Sequence, residues 1–347
     1  MSPFVEVGIE GSLGTITLNR PAAINALDRG MIDGIAQTLE AWQHDAEVRA
    51  VLFEGRGSRG FCSGGDVRAM RDLVIAGRNE EAHAFFAAEY AMNGLIANYR
   101  KPVVAITDGV VMGGGIGIAG HAAFRFTTPD ARYAMPEAAI GFVSDVGVNY
   151  ILARAPEARA LAFLMTGLPV RGADALSLGL ADCTVLAERR AEVRSGIAAA
   201  AEASSVETAL VSLMQAESIQ PGLAEFCVLA DRLSDCFAAD DAAEIVAAVA
   251  DAAAAEPAFA PIAEALASRS PTSLEAILQS HRTARTRQQV EAVLALDLRL
   301  ARLLSGLPDF AEGVRAQLVD KDQKPRWQPA DFAEVPKAKI AAAMVAE

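Results

Sequence analysis

Polar and apolar residues alternate near the start of the chain, where Ile16 and Leu18 interleave with Thr15 and Thr17 before Asn19-Arg20-Pro21. A period of two predicts a half-buried strand that feeds a loop. The period then lengthens: Met31, Ile35, Leu39 and Trp42 fall on one helical face, with Asp28 placed to cap the helix. Ala50-Val51-Leu52-Phe53, closed by Gly55, is an apolar run of strand length. The order repeats, with a helical stretch from Ala82 to Asn98, a break at Lys101-Pro102, a β-branched run Val103-Val104-Ala105-Ile106, and a glycine cluster that opens another helix. Phe124-Arg125-Phe126-Thr127 and Tyr133-Ala134-Met135 read as further short strands. Strands recurring between helices predict an α/β fold.

The pattern changes after Asp182. From about residue 188 the chain is rich in Ala, Glu and Arg, and helices are expected almost throughout. Ala-rich stretches at 197–202 and 251–255 are expected at close helix packing, and Glu256 to Pro261 as a connector between helices. Ser270-Pro271-Thr272-Ser273 predicts a helix start, with Thr272 or Ser273 as cap. Two regions are therefore expected, an α/β region over residues 1–190 and a mainly helical region over 191–347. No sequence repeat accompanies them.

Composition narrows the function. With 347 residues, 52% of them hydrophobic, the chain can bury a sizeable core. A formal net charge of -13 argues against a general nucleic-acid binder, which must neutralise phosphates. No run of eighteen apolar residues predicts a membrane span, and a soluble cytoplasmic protein is expected. Cys62, Cys183, Cys227 and Cys236 form no C-x-x-C pair, so structural thiols are expected rather than a disulfide framework or a zinc site. His44, His83, His121 and His281 lack H-E-x-x-H spacing and no G-x-S-x-G elbow occurs, which leaves a zinc hydrolase or a serine triad unsupported.

The chemistry concentrates in three segments: Phe61-Cys62-Ser63-Gly64-Gly65-Asp66, Met112-Gly113-Gly114-Gly115, and Met135-Pro136-Glu137 running on to Ser144-Asp145-Val146-Gly147. Glycines at two strand-to-helix junctions can present exposed backbone N–H groups, and two such groups aimed at one point form an oxyanion hole. Gly115 to Gly120 also satisfies G-x-G-x-x-G, but no clean strand ending in an acid follows about twenty residues later, so a dinucleotide site is not expected. Glu137 lies in an apolar setting, which makes it either a desolvated base of raised pKa or a solvated glutamate at a helix start. Asp145 is either a helix N-cap or a second acid. Glu89, taken alone, is surface charge more often than function.

Together with Ile16-Thr17-Leu18-Asn19-Arg20-Pro21, Asn25-Ala26-Leu27 and Met135 to Gly141, these segments resemble the crotonase (enoyl-CoA hydratase/isomerase) superfamily, and within it the 3-hydroxyisobutyryl-CoA hydrolases. The resemblance continues at Ser270 to Leu274, Glu312-Gly313-Val314-Arg315-Ala316 and Asp320-Lys321-Asp322, so it spans nearly the whole chain. It implies a spiral of β-β-α turns followed by a helical C-terminal region. It also implies a thioester oxygen held by the amides of Gly65 and Gly114, with Arg68 at a position that contacts CoA. Gly64, Asp66, Asn25, Ala26 and Leu27 fall at its other substrate-binding positions.

The resemblance further implies a branch. Gly117 stands where related hydratases carry one of their two glutamates, while Asp145 stands where hydroxyacyl-CoA hydrolases carry aspartate. Glu137 is then expected to activate attack on the thioester carbonyl, as general base or as nucleophile, with Asp145 orienting it or passing a proton and Glu89 meeting the substrate's hydroxyl. Hydrolysis of a short 3-hydroxyacyl-CoA, as in valine breakdown, is the expected function. A hydratase or isomerase on the same site is the alternative, and a non-catalytic acyl-CoA binder a third. No metal or redox cofactor is implied, and trimers or hexamers are common among relatives. Departures from the hydrolase pattern occur at Ala22, Ser144 and Val148-Asn149.

Overall fold

A computed structural model describes residues 2–287 and 289–345. Contacts divide the chain into two compact units, each discontinuous in sequence. The first comprises Met1–Gly65, Ala91–Tyr133 and Val170–Ala224, the second Asp66–Tyr90, Ala134–Pro169 and Glu225–Glu347. This partition interleaves segments, whereas composition divides the chain once, near residue 190.

Among the described residues nine strands are formed: β1 (Val5–Glu10), β2 (Leu13–Leu18), β3 (Ala50–Gly55), β4 (Gly60–Cys62), β5 (Val103–Thr107), β6 (Val110–Met112), β7 (Phe124–Thr127), β8 (Arg132–Ala134) and β9 (Cys183–Thr184). Six make one sheet in the order β1-β2-β3-β5-β7-β9, and β4-β6-β8 make a second. Only the β1–β2 pair of the larger sheet is antiparallel; β2–β3, β3–β5, β5–β7 and β7–β9 are parallel. Parallel strands are covered on both faces, which explains why β3 and β5 read as unbroken apolar runs. β2 corrects the expectation of a half-buried strand. It lies between β1 and β3, and even Thr17 is buried, its hydroxyl satisfied by Glu54 at 3.2 Å.

The helices Arg190–Ala201 and Val206–Glu217 belong to this first unit. Their Val193, Ile197, Ala201 and Leu210 pack on Leu52, Val104, Ile106 and Phe126 of the sheet. Here the alanines at 197–202 do mark close packing. Those at 251–255 do not: they end the helix Ala242–Ala255 on partly and fully exposed positions, where alanine serves helix propensity alone.

The second unit is almost entirely helical. Its aromatic centre links Phe86 to Phe142 at 5.1 Å and Phe142 to Phe310 at 5.3 Å between ring centroids. The expected helix start near Ser270 is present, but the cap is Ser270 itself, whose hydroxyl accepts from the Ser273 N–H at 3.1 Å. Pro271 explains the difference, because proline suits the first helical position and its predecessor then becomes the N-cap.

Candidate active site

In the first unit, β4 and β6 run parallel, with Cys62 opposite Val111, and glycines follow each strand, Gly64-Gly65 after β4 and Gly113-Gly114 after β6. The two glycine segments therefore meet. Gly64 has φ of 102°, and a Cβ there would come within 3.3 Å of the Gly114 nitrogen. The carbonyl of Gly64 accepts from Leu27 N–H at 2.8 Å, and Leu27 bridges Gly65. Gly114 is the first residue of the helix Gly114–Ala119, where an N–H has no acceptor inside its own helix. Gly117 lies within that helix and is buried.

Asn25 is what holds this corner together. Its Oδ1 accepts from Arg20 N–H at 2.9 Å, and its Nδ2 donates to the carbonyls of Arg56 and Phe61 at 3.0 and 2.9 Å. All of the side chain's polar atoms are thus spent on main chain, and any substrate contact at Asn25 must come from its backbone. Ala26 is partly exposed, its carbonyl accepting from Arg20 at 3.1 Å, and Leu27 is fully buried.

The second unit carries the acids. Glu137 sits in the short 3-10 turn Pro136–Ile140, which ends in a left-handed glycine at Gly141. Of the alternatives open for this residue, the desolvated one holds. Glu137 is 7% exposed, and burial, then the charge of Asp145, then that of Glu89, push its carboxyl well above the usual range.

Asp145 accepts a hydrogen bond from the Tyr90 hydroxyl. Burial pushes it up to about 7, against the opposing pull of that hydrogen bond. It is not a side-chain cap, because the following helix Val148–Leu152 has Gly147 at its N-cap. Glu89 is not surface charge either: it is 3% exposed and pushed up to about 8, chiefly by burial and secondly by Asp145.

Two members of this group escape sequence reasoning. Tyr90 follows Glu89 directly, and Asp297 lies in the helix Val290–Ser305, fully buried. The available signal for Asp297 was its place on the apolar stripe of Val293, Leu296, Leu300 and Ala301. Burial, then Asp145, raise its carboxyl well above the usual range. Glu89 Oε1, Glu137 Oε2 and Asp297 Oδ1 are buried without a hydrogen-bond partner among the described residues. Acids so close to one another titrate as a group rather than singly.

The C-terminal segments brace the turn that carries Glu137. Ser270 N–H donates to the Ala138 carbonyl at 3.2 Å, and its hydroxyl donates to Asp309 at 2.6 Å. Gly313 packs so tightly on Ile140 that a Cβ would enter that residue's backbone. Arg315 joins Glu312, Asp320 and Asp322 through ion pairs of 2.7–2.8 Å, closing the loop that follows.

Arg68 lies exposed on the helix Val67–Ile75, and Asp66 caps that helix by accepting from Ala69 N–H at 3.3 Å. Val148 and Asn149, the departures from the hydrolase pattern, are completely buried. Among the described residues no group of three or more His, Cys, Asp or Glu is arranged to hold a metal ion, and no helix is long and apolar enough to cross a membrane.

A sequence profile described as Enoyl-CoA hydratase/isomerase matches residues 13–344. The 3-hydroxyisobutyryl-CoA hydrolase, mitochondrial, of Gallus gallus is 36% identical over 331 residues, covering 94% of this chain and 84% of that protein. Its Homo sapiens counterpart is 34% identical over 330 residues with the same coverage. Among solved structures, a carnitinyl-CoA dehydratase from Mycobacterium thermoresistibile superposes with a TM-score of 0.91 at 39% identity, covering 100% of this chain and 97% of that one. An enoyl-CoA hydratase from Rhodobacter sphaeroides 2.4.1 gives 0.89 at 32% identity, covering 99% and 97%. With a profile match along nearly its whole length, relatives above 30% identity and the same fold, the chain belongs to the enoyl-CoA hydratase/isomerase family.

Proposed function

We propose that this chain hydrolyses a short 3-hydroxyacyl-CoA thioester, with 3-hydroxyisobutyryl-CoA as the leading substrate, to the free acid and CoA. The observation that carries the proposal is the buried pairing of Glu137 with Asp145 while Gly117 contributes no carboxylate. A carboxyl raised by its surroundings is a better base near neutral pH than an exposed one. The identity to named 3-hydroxyisobutyryl-CoA hydrolases along 94% of the chain points the same way.

In this mechanism the N–H groups of Gly65 and Gly114 donate to the thioester oxygen as it becomes an oxyanion. Glu137 activates the attack, Asp145 with its Tyr90 hydrogen bond receives or returns the proton, and Glu89 meets the substrate hydroxyl. The new C–O bond forms as the C–S bond breaks, and the departing CoA thiolate takes up a proton. CoA arrives with the substrate, and we assign no separate cofactor. Single turnover in oxygen-18 water tests the nucleophilic form: label in the Glu137 carboxyl marks an anhydride opened at that carbonyl, which general-base attack by water does not produce.

The similarity to a dehydratase and a hydratase of known structure favours a second reading, addition or removal of water at a carbon–carbon double bond. Thiol release from 3-hydroxyisobutyryl-CoA, followed beside the conjugated absorbance of crotonyl-CoA, separates the two. Thiol release with crotonyl-CoA intact supports hydrolysis, and crotonyl-CoA consumption without thiol release replaces it with hydration.

A further inference from the structure

The main chain on either side of Asp145 is held by two buried side chains. Upstream, Asn149 Nδ2 donates to the Ser144 carbonyl at 3.0 Å, and Asn149 Oδ1 pairs with His281 Nδ1 at 3.1 Å. Downstream, Gly147 N–H donates to Asp297 Oδ2 at 2.8 Å, across 150 residues of sequence. Between these anchors the backbone takes an unusual course. Val146 has φ of 54° and Gly147 of 73°, two successive left-handed residues, the first of them β-branched. A β-branched residue adopts positive φ only where its surroundings impose it.

We propose that Asp297 is a positioning residue for Asp145: by accepting the Gly147 N–H it pins the left-handed Val146–Gly147 turn and so fixes where the Asp145 carboxyl meets Tyr90. Three independent features converge on this role. The anchor is wholly buried and supplied by a different helix, the turn it holds is strained, and Tyr90 donates its hydroxyl to the acid that the turn presents. Asp297 does not itself touch the substrate in this scheme. Its effect on hydrolysis rests on the functional reading above.

The test compares Asp297→Asn, which keeps an oxygen for the Gly147 N–H, with Asp297→Leu, which fills similar space and keeps none; Asp297→Ala replaces the latter if it does not fold. Thiol release should show kcat within about threefold of wild type for Asn and lowered on the order of 10- to 100-fold for Leu, with KM changed little. Val146→Gly added to the Leu variant should restore part of kcat, since glycine takes positive φ without strain. A crystal structure of the Leu variant should show the turn rearranged and the Tyr90–Asp145 bond lost. Equal loss in the Asn and Leu variants, or an undisturbed turn and bond in the Leu variant, overturns the proposal. Silence of the wild-type protein toward thioesters would instead defeat the functional reading, and the crystallographic comparison would still decide the role of Asp297.

Discussion

The glycine corner of the first unit and the acid cluster of the second solve opposite problems. The corner is made of backbone: two parallel strands, two glycines and one asparagine whose polar atoms are all engaged. It is electrostatically mild. The cluster gathers Glu89, Glu137, Asp145 and Asp297 in a buried interior, where the largest influence on every one is burial of its own charge. The lesson is that a polarising group can be had from well-placed amides at little expense, whereas a base of the right strength requires the fold to hold carboxyls where they resist ionising.

The sharpest break comes from the cluster. Glu137→Gln keeps shape and removes basicity, and kcat for thiol release should fall about 10³-fold with the thermal unfolding midpoint unchanged or raised. Next is the corner. Gly114→Pro deletes one N–H at a helical position that tolerates proline, and kcat should fall about 10²-fold. A comparable KM with lower kcat would place the loss in the transition state.

Tyr90→Phe tests the cluster's internal wiring. The hydroxyl stabilises ionised Asp145, so its removal should raise the pH at which Asp145 titrates, moving the acid limb of the kcat/KM profile upward and lowering activity at pH 7 about tenfold. An unmoved acid limb would detach Asp145 from the reaction.

The remaining effect is on stability rather than on rate. Glu89 titrates near 8 in the folded protein against 4.5 unperturbed, so the folded state binds the proton more tightly, and stability falls as pH rises from about 4.5 towards 8. Glu89→Gln cannot ionise and should lose less. Denaturant unfolding should show the variant gaining on wild type between pH 5 and pH 8, by on the order of 4 kcal/mol at most. A difference independent of pH would mean that Glu89 is not held neutral.

Sequence made the alternation of strands and helices visible, along with Glu137, Asp145 and both glycine junctions, because those signals are local. β1, β4, β6 and β9 were not anticipated, the last three because strands of two or three residues carry no periodicity. The helices Arg190–Ala201 and Val206–Glu217 were foreseen as helices, but composition cannot say which layer a helix covers, and they cover the sheet. Glu89 and Asp297 illustrate the same limit. One acid among apolar residues reads identically on a wet face and a dry one, and only packing from distant segments decides.

The acid cluster also changes how the whole molecule should be counted. A formal charge of -13 treats every carboxyl as ionised, yet several here hold their protons near neutrality. Folding is therefore coupled to proton uptake from the buffer, and the native protein migrates as a weaker anion than its sequence predicts.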